Sequence, residues 1–299
     1  MNIYSAISAN KNKTWLIMLL FVMVITTVVY VFCQALGYGL GFVGIALVIA
    51  GLTSIGSYYY SDKIVLATAG AKPVQKMDNP ELFHTVENLC IGDGLPMPKI
   101  YIINDPSPNA FATGRDPQHA IVCVTTGILP LLDKSELEGV IAHELSHIKN
   151  FDIRLMGIVA VLVGFIAILA NLFMTRLWWG GIGDREDRNN NLQAIFLIIG
   201  IVLAILSPIV ATLIQLAVSR KRELLADASG VLLTRYPEAL ASALEKISKD
   251  PHSLKSASNA TAHLFIVNPF KGKNTKQMFT SLFDTHPPIE ERIKILRSM

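Results

Sequence analysis

His143, Glu144 and His147 fall within five consecutive residues, His143-Glu144-Leu145-Ser146-His147. On a helix, residues four apart share a face, so the two imidazoles can hold one metal ion together. Glu144 lies beside that face, within reach of a water on the metal but not itself a ligand. H-E-x-x-H on a helix is the zinc-peptidase pattern, with the glutamate as general base. A helix with two histidines on a wet face would show the same spacing, but such a coincidence is rare in a chain of this composition.

A catalytic zinc generally takes three protein ligands and keeps one position open. The third is expected from Arg222-Glu223-Leu224-Leu225-Ala226-Asp227, where Glu223 and Asp227 are again four apart. Glu223 can take the metal while Asp227 accepts an N–H from a ligand imidazole, fixing its tautomer. Read alone, the pair fits the solvated face of a helix near basic residues better than a metal site. Cys33, Cys90 and Cys123 are dispersed and odd in number, which predicts buried free thiols in a reducing compartment and a metal held by His and carboxylate. His84, His119, His252 and His263 have no partner at ligand spacing and read as surface or packing residues.

The elements that must position these residues are read from hydropathy. Of 299 residues, 52% are hydrophobic and only 16% charged, with a mean hydropathy of +0.45. Soluble domains carry about 25% charged residues, so part of this chain is expected in lipid. A net charge of +3 argues against a nucleic-acid partner. Residues 14–61 contain no Asp, Glu, Lys or Arg, enough for two spans near 15–36 and 38–60, broken at Gly37-Tyr38-Gly39. Leu155 to Thr175 and Leu192 to Ser219 are two further uncharged runs, separated by the polar loop 180–191. A competing reading buries these last two runs in a globular core.

The expected organisation is therefore a tail and first transmembrane hairpin (1–61), the first half of a soluble domain (62–152), a second hairpin (153–219) and the second half of the domain (220–299). Within the domain, Lys99 to Asn104 and Ala120 to Thr125 read as strands and Glu81 to Cys90 as an amphipathic helix. Ser135-Glu136-Leu137-Glu138 reads as the capping box of the helix carrying the His pair. The fold class is an α+β membrane protein with four transmembrane helices and a mainly helical, zincin-like domain containing a small β-sheet. Lys11, Lys13, Lys63, Lys149, Arg154, Arg220, Lys221 and Arg222 flank the four runs on one side, which places both termini and the His pair in the cytoplasm.

His143 to His147, then a hairpin, then R-E-x-x-A-D resembles the HtpX family of bacterial membrane zinc proteases, relatives of the CAAX-prenyl proteases. The likeness extends to Asn109-Ala110-Phe111-Ala112-Thr113-Gly114 and to Thr285-His286-Pro287-Pro288-Ile289-Glu290-Glu291-Arg292. It implies one Zn2+ per subunit held by His143, His147 and Glu223, with Glu144 as general base. It also implies that Asn109, Ala110, Phe111 and Ala112 belong to an edge strand that holds an extended peptide by strand addition. His286 would approach the metal, stabilising an oxyanion or filling the open position; before Pro287-Pro288 it reads equally as a turn residue. The implied role is quality control of misfolded membrane proteins at the bacterial inner membrane under heat or envelope stress. Partners would be membrane-protein or unfolded polypeptide substrates and the bilayer itself. A CAAX-type prenyl-protein protease ranks lower, since that family has more spans. A non-catalytic scaffold with a structural zinc would call for four closed ligands, often cysteine, and has no use for Glu144.

Overall fold

The computed structural model describes residues 3–36, 41–179, 220–258, 260–270 and 287–299. The fourth apolar run, the loop before it and His286 lie outside the described residues. Helices α1 (Ile3–Leu36) and α2 (Gly41–Ala69) pack against each other, and both exceed the spans expected from charge alone. α2 runs on through Asp62 and Lys63 because Ser61, Val65 and Ala69, four apart, keep one face buried. It stops at Gly70, whose φ of +64° suits glycine at a helix end.

The sheet is small and mixed. Strands β1 (Lys72–Pro73), β2 (Lys99–Ile103), β3 (Ala110–Gly114) and β4 (Ala120–Thr125) lie in the order β1-β2-β4-β3. β2 and β4 are parallel, and the two outer pairings antiparallel. β3 is thus an edge strand. Side chains alternate across it: Ala110 and Ala112 enter the core with Val122 and Val124, whereas Phe111 joins Ile121 and Cys123 on the opposite face. The first face is covered by α3 (Pro80–Asp93) and α5 (Lys134–Lys149), the second by α2 and α6 (Asp152–Trp179). A short helix, α4 (Ile128–Leu131), links β4 to α5.

α5 and the first part of α6 meet at 83° across Asn150 and Phe151, where Phe151 adopts a φ of +59°. Beyond the bend, Leu155, Ile158, Val159 and Leu162 pack against Ile17, Met18, Phe21 and Ile25 of α1. Among the described residues the remaining α-helices are α7 (Arg220–Thr234), α8 (Pro237–Lys249) and α9 (Ile289–Leu296). α7 and α8 lie on α5, and each approach is made where a glycine lets it close. A Cβ on Gly230 would sit 3.1 Å from the backbone N of His143, and one on Gly139 would sit 3.0 Å from the backbone N of Leu240. Among the described residues, Val43–Ala69 is long and apolar enough to cross a membrane, and the bent α5–α6 pair is a second only if counted as one span.

Candidate metal centre and active site

α5 begins at Asp133, whose carboxylate accepts from the Glu136 N–H at 2.9 Å while Glu136 accepts from the Asp133 N–H at 2.9 Å. The capping box is therefore Asp133–Glu136 rather than Ser135–Glu138. The Ser135 hydroxyl, which has the right spacing for the alternative, donates to Asp133 instead. Fixing the first turn in this way sets which face of α5 His143 and His147 share, and that face is buried.

The two imidazoles stand nearly perpendicular, at 88°, with their Nε2 atoms 3.1 Å apart. Glu223 completes the group: its Oε2 is 3.7 Å from His143 Nε2 and its Oε1 3.6 Å from His147 Nε2. One ligand atom from each of the three residues lies within 4.8 Å of the others. Behind each ring stands a carboxylate. His143 Nδ1 lies 2.9 Å from Asp227 Oδ1, and His147 Nδ1 lies 3.0 Å from Asp152 Oδ2. An Nδ1–H donated to each carboxylate leaves both Nε2 atoms as acceptors, facing one another and Glu223. Two lone pairs so close repel unless a cation lies between them.

Charge supports the same conclusion. Glu144, Asp152, Glu223 and Asp227 are buried with Arg222 and Arg292, so four carboxylates face two guanidinium groups. Counted as ionised, these groups leave an excess of negative charge, so the pocket favours a cation between the rings. Burial alone would lower the pKa of His147, but Asp152, Glu223 and Glu144 outweigh it and raise the value to about 9. His143, buried likewise, is pulled below the ordinary imidazole range despite Asp227. Against its own burial, Arg292 and His143 hold Asp227 at about 2. The donor set and its charge therefore fit a divalent metal of the kind that imidazole and carboxylate bind.

Glu144 projects toward the sheet. Burial raises its pKa to about 7, and the Ala112 backbone N–H hydrogen-bonds to it. Ala112 is on the outer edge of β3, so the acid and the edge strand meet directly. The rest of the Asn109 segment is occupied by the chain itself. Asn109 Nδ2 donates to Val267 O at 2.9 Å, and the Ile266 N–H donates to Ala110 O at 3.0 Å. Phe111 turns away and packs edge-on against Phe265. His84, His119 and His252 are solvent-exposed, and His263 is buried with its Nε2 3.2 Å from the carbonyl of Met156.

Two functional residues escape a reading by spacing. Asp152 follows His147 by five residues, across a helix end, so no single-helix face relates them. Arg292, fully buried, grips Asp227 with two bonds of 2.9 and 2.6 Å, and its Nη1 is 3.8 Å from Glu223 Oε2. Its one trace in the sequence is its place at the end of the Thr285–Arg292 motif.

The family model described as Peptidase family M48 matches residues 76–299. A protein named Protease HtpX homolog from Caldanaerobacter subterraneus subsp. tengcongensis is 46% identical over 299 residues, covering 99% of this chain and 98% of that protein. One of the same name from Dictyoglomus thermophilum is 47% identical over 300 residues, covering 99% and 94%. The crystal structure of S. mikatae Ste24p aligns over 90% of this chain and 62% of that one, with 19% identity and a TM-score of 0.49.

Proposed function

The chain belongs to peptidase family M48 and is a membrane metalloprotease of the HtpX kind; from this premise we propose that it is a zinc endopeptidase cutting misfolded or unfolded polypeptides, membrane proteins above all, at the cytoplasmic face of a bacterial inner membrane. His143, His147 and Glu223 hold the ion. The observation that carries this reading is the pair of Nε2 atoms 3.1 Å apart, each ring backed by a carboxylate. When bound, zinc supplies a Lewis acid that acidifies water toward a pKa of about 7 and polarises a carbonyl.

The rest of the chemistry belongs to side chains of this protein. Glu144 takes a proton from the attacking water and delivers it to the leaving amine. A carboxyl group with a pKa raised to about 7 can do both at neutral pH. The Ala112 N–H steadies that carboxylate; with Ala110 O already taken by the Ile266 N–H, a substrate strand adding to β3 has to pair beyond Ala112, beside the same group. Asp227 and Asp152 keep the ligand rings in one tautomer. His286 is assigned the oxyanion contact or the open metal position, on resemblance alone.

The membrane arrangement proposed is two hairpins, α1 with α2 and α6 with the run 192–219. Large apolar side chains on the outer faces of α1 and α2 support it: Trp15, Leu19, Val48 and Leu52 are each more than half exposed. Trp15 stacks on Tyr58, aromatic side chains suited to a membrane interface.

The test is purification in detergent without metal, followed by zinc addition and a casein cleavage assay. Wild type should cleave only with zinc. Glu144→Gln should bind zinc like wild type and lose cleavage by about 10²-fold or more. Equal cleavage by both proteins, or cleavage indifferent to zinc, would overturn the assignment.

A further inference from the structure

Asn10 lies on α1, more than sixty residues before the segment matched by the family model, yet its side chain ends beside the metal centre. It is 3% exposed. Nδ2 donates to the carbonyl of Asn150 at 3.0 Å and to Asp152 Oδ1 at 2.7 Å. Oδ1 accepts from Arg222 Nη1 at 3.0 Å. The other oxygen of Asp152 is the one that meets His147, and Arg222 immediately precedes Glu223. One amide thus ties the end of α5, the start of α6 and the start of α7.

The residue type is specific to this task. A primary amide offers two N–H donors and a carbonyl acceptor, and all are used here. Aspartate is of equal size but has no donor and would set a second carboxylate against Asp152. Alanine leaves Arg222 and Asp152 with one partner fewer in a buried site, where such a loss is costly. The amide is not what docks α1, since Ile17, Met18, Phe21 and Ile25 bury an apolar stripe against α6. Removing it should leave the helix in place.

We propose that Asn10 is a positioning residue of the metal centre: by holding Asp152 on His147, directly and through Arg222, the first apolar helix sets the affinity for zinc. The proposal rests on the zinc reading above. It is tested on the full chain in detergent by measuring the zinc dissociation constant through competition with a chromophoric chelator. Asn10→Ala should weaken zinc about tenfold, the lower end of the range for groups that orient metal ligands. Asn10→Asp should weaken it at least as much. Asp152→Asn should itself weaken zinc, and adding Asn10→Ala to it should change little, because both act through one carboxylate. Thr14→Val, on the same buried face but hydrogen-bonded only to the Asn10 carbonyl, should bind zinc as wild type does.

Wild-type affinity in folded Asn10→Ala, or effects that simply add in the double variant, would overturn the proposal. So would loss of the fold in both Asn10 variants while Thr14→Val stays folded, since Asn10 would then be a folding residue. Failure of the underlying zinc reading looks different: wild type would bind no zinc, or His147→Ala would bind it equally well.

Discussion

Each ligand imidazole is braced by a carboxylate, and each carboxylate by an arginine, so the metal centre is a buried ionic lattice. Arg292 is its most deeply buried member, with both Asp227 oxygens and the Ile266 carbonyl as partners. Arg292→Met keeps bulk but leaves Asp227 a buried carboxylate without its counter-charge. Breaking a buried pair from one side costs about 3–5 kcal/mol. The variant should unfold correspondingly earlier in denaturant and bind zinc more weakly, read by equilibrium unfolding and chelator competition on one preparation. Retained stability with unchanged zinc affinity would mean that the pair does not act on His143. His143, Glu144, His147, Glu223 and Asp227 are legible in the sequence because spacing of four on one helix is a local property. Asp152, Arg292 and Asn10 are not, because each reaches the site through a bend or a contact between distant segments. The substrate role of Asn109 comes from the family resemblance; its amide bond to Val267 is a contact between distant segments that no local spacing announces.

Elements matter through how closely they approach. Glu223, Asp227 and Gly230 are spaced four and three apart, so one face of α7 carries a ligand, its neighbour's brace and a glycine that lets the face close on α5. A Cβ at Gly230 would meet His143 N at 3.1 Å and Ala142 C at 3.3 Å, both backbone atoms of a packed helix. Gly230→Ala gains about 1 kcal/mol in helix propensity and loses about 1–3 kcal/mol to overpacking. Net stability should therefore fall by about 0–2 kcal/mol, while Glu223 is pushed outward and zinc affinity falls. Zinc affinity equal to wild type in this variant would show that α5 yields without disturbing the ligands. Hydropathy does make the helices legible, down to α6 and its neighbours, but it misplaces their ends. Charged residues such as Asp62 sit on the wet side of a continuing helix, and helix length follows the buried stripe rather than the charges.

At the scale of the whole molecule, the contacts at the metal centre constrain how the chain threads a bilayer. His143 on α5 and Glu223 on α7 are neighbours, so the chain from 152 to 219 returns to the side it left. Asn10 touches Asp152 and Arg222, so α1 and α2 together must also return. On the proposed membrane arrangement, each apolar pair would therefore cross an even number of times. α1 and α2, at 34 and 29 residues, are roughly 51 and 44 Å long, and either exceeds a hydrocarbon core of about 30 Å. Two crossings by α1 and α2 would cover the apolar side chains exposed on them, and the positive-inside rule would then set the proposed site on the cytoplasmic side. Single cysteines at Met77, before the second pair, and at Met299, after it, test this in a Cys33→Ser background. Both positions are exposed, at 90% and 57%, whereas the native Cys90 and Cys123 are buried. A membrane-impermeant maleimide should label both in inside-out vesicles and neither in right-side-out vesicles. Labelling of one position from each side would require an odd number of crossings between them and would overturn the proposed arrangement.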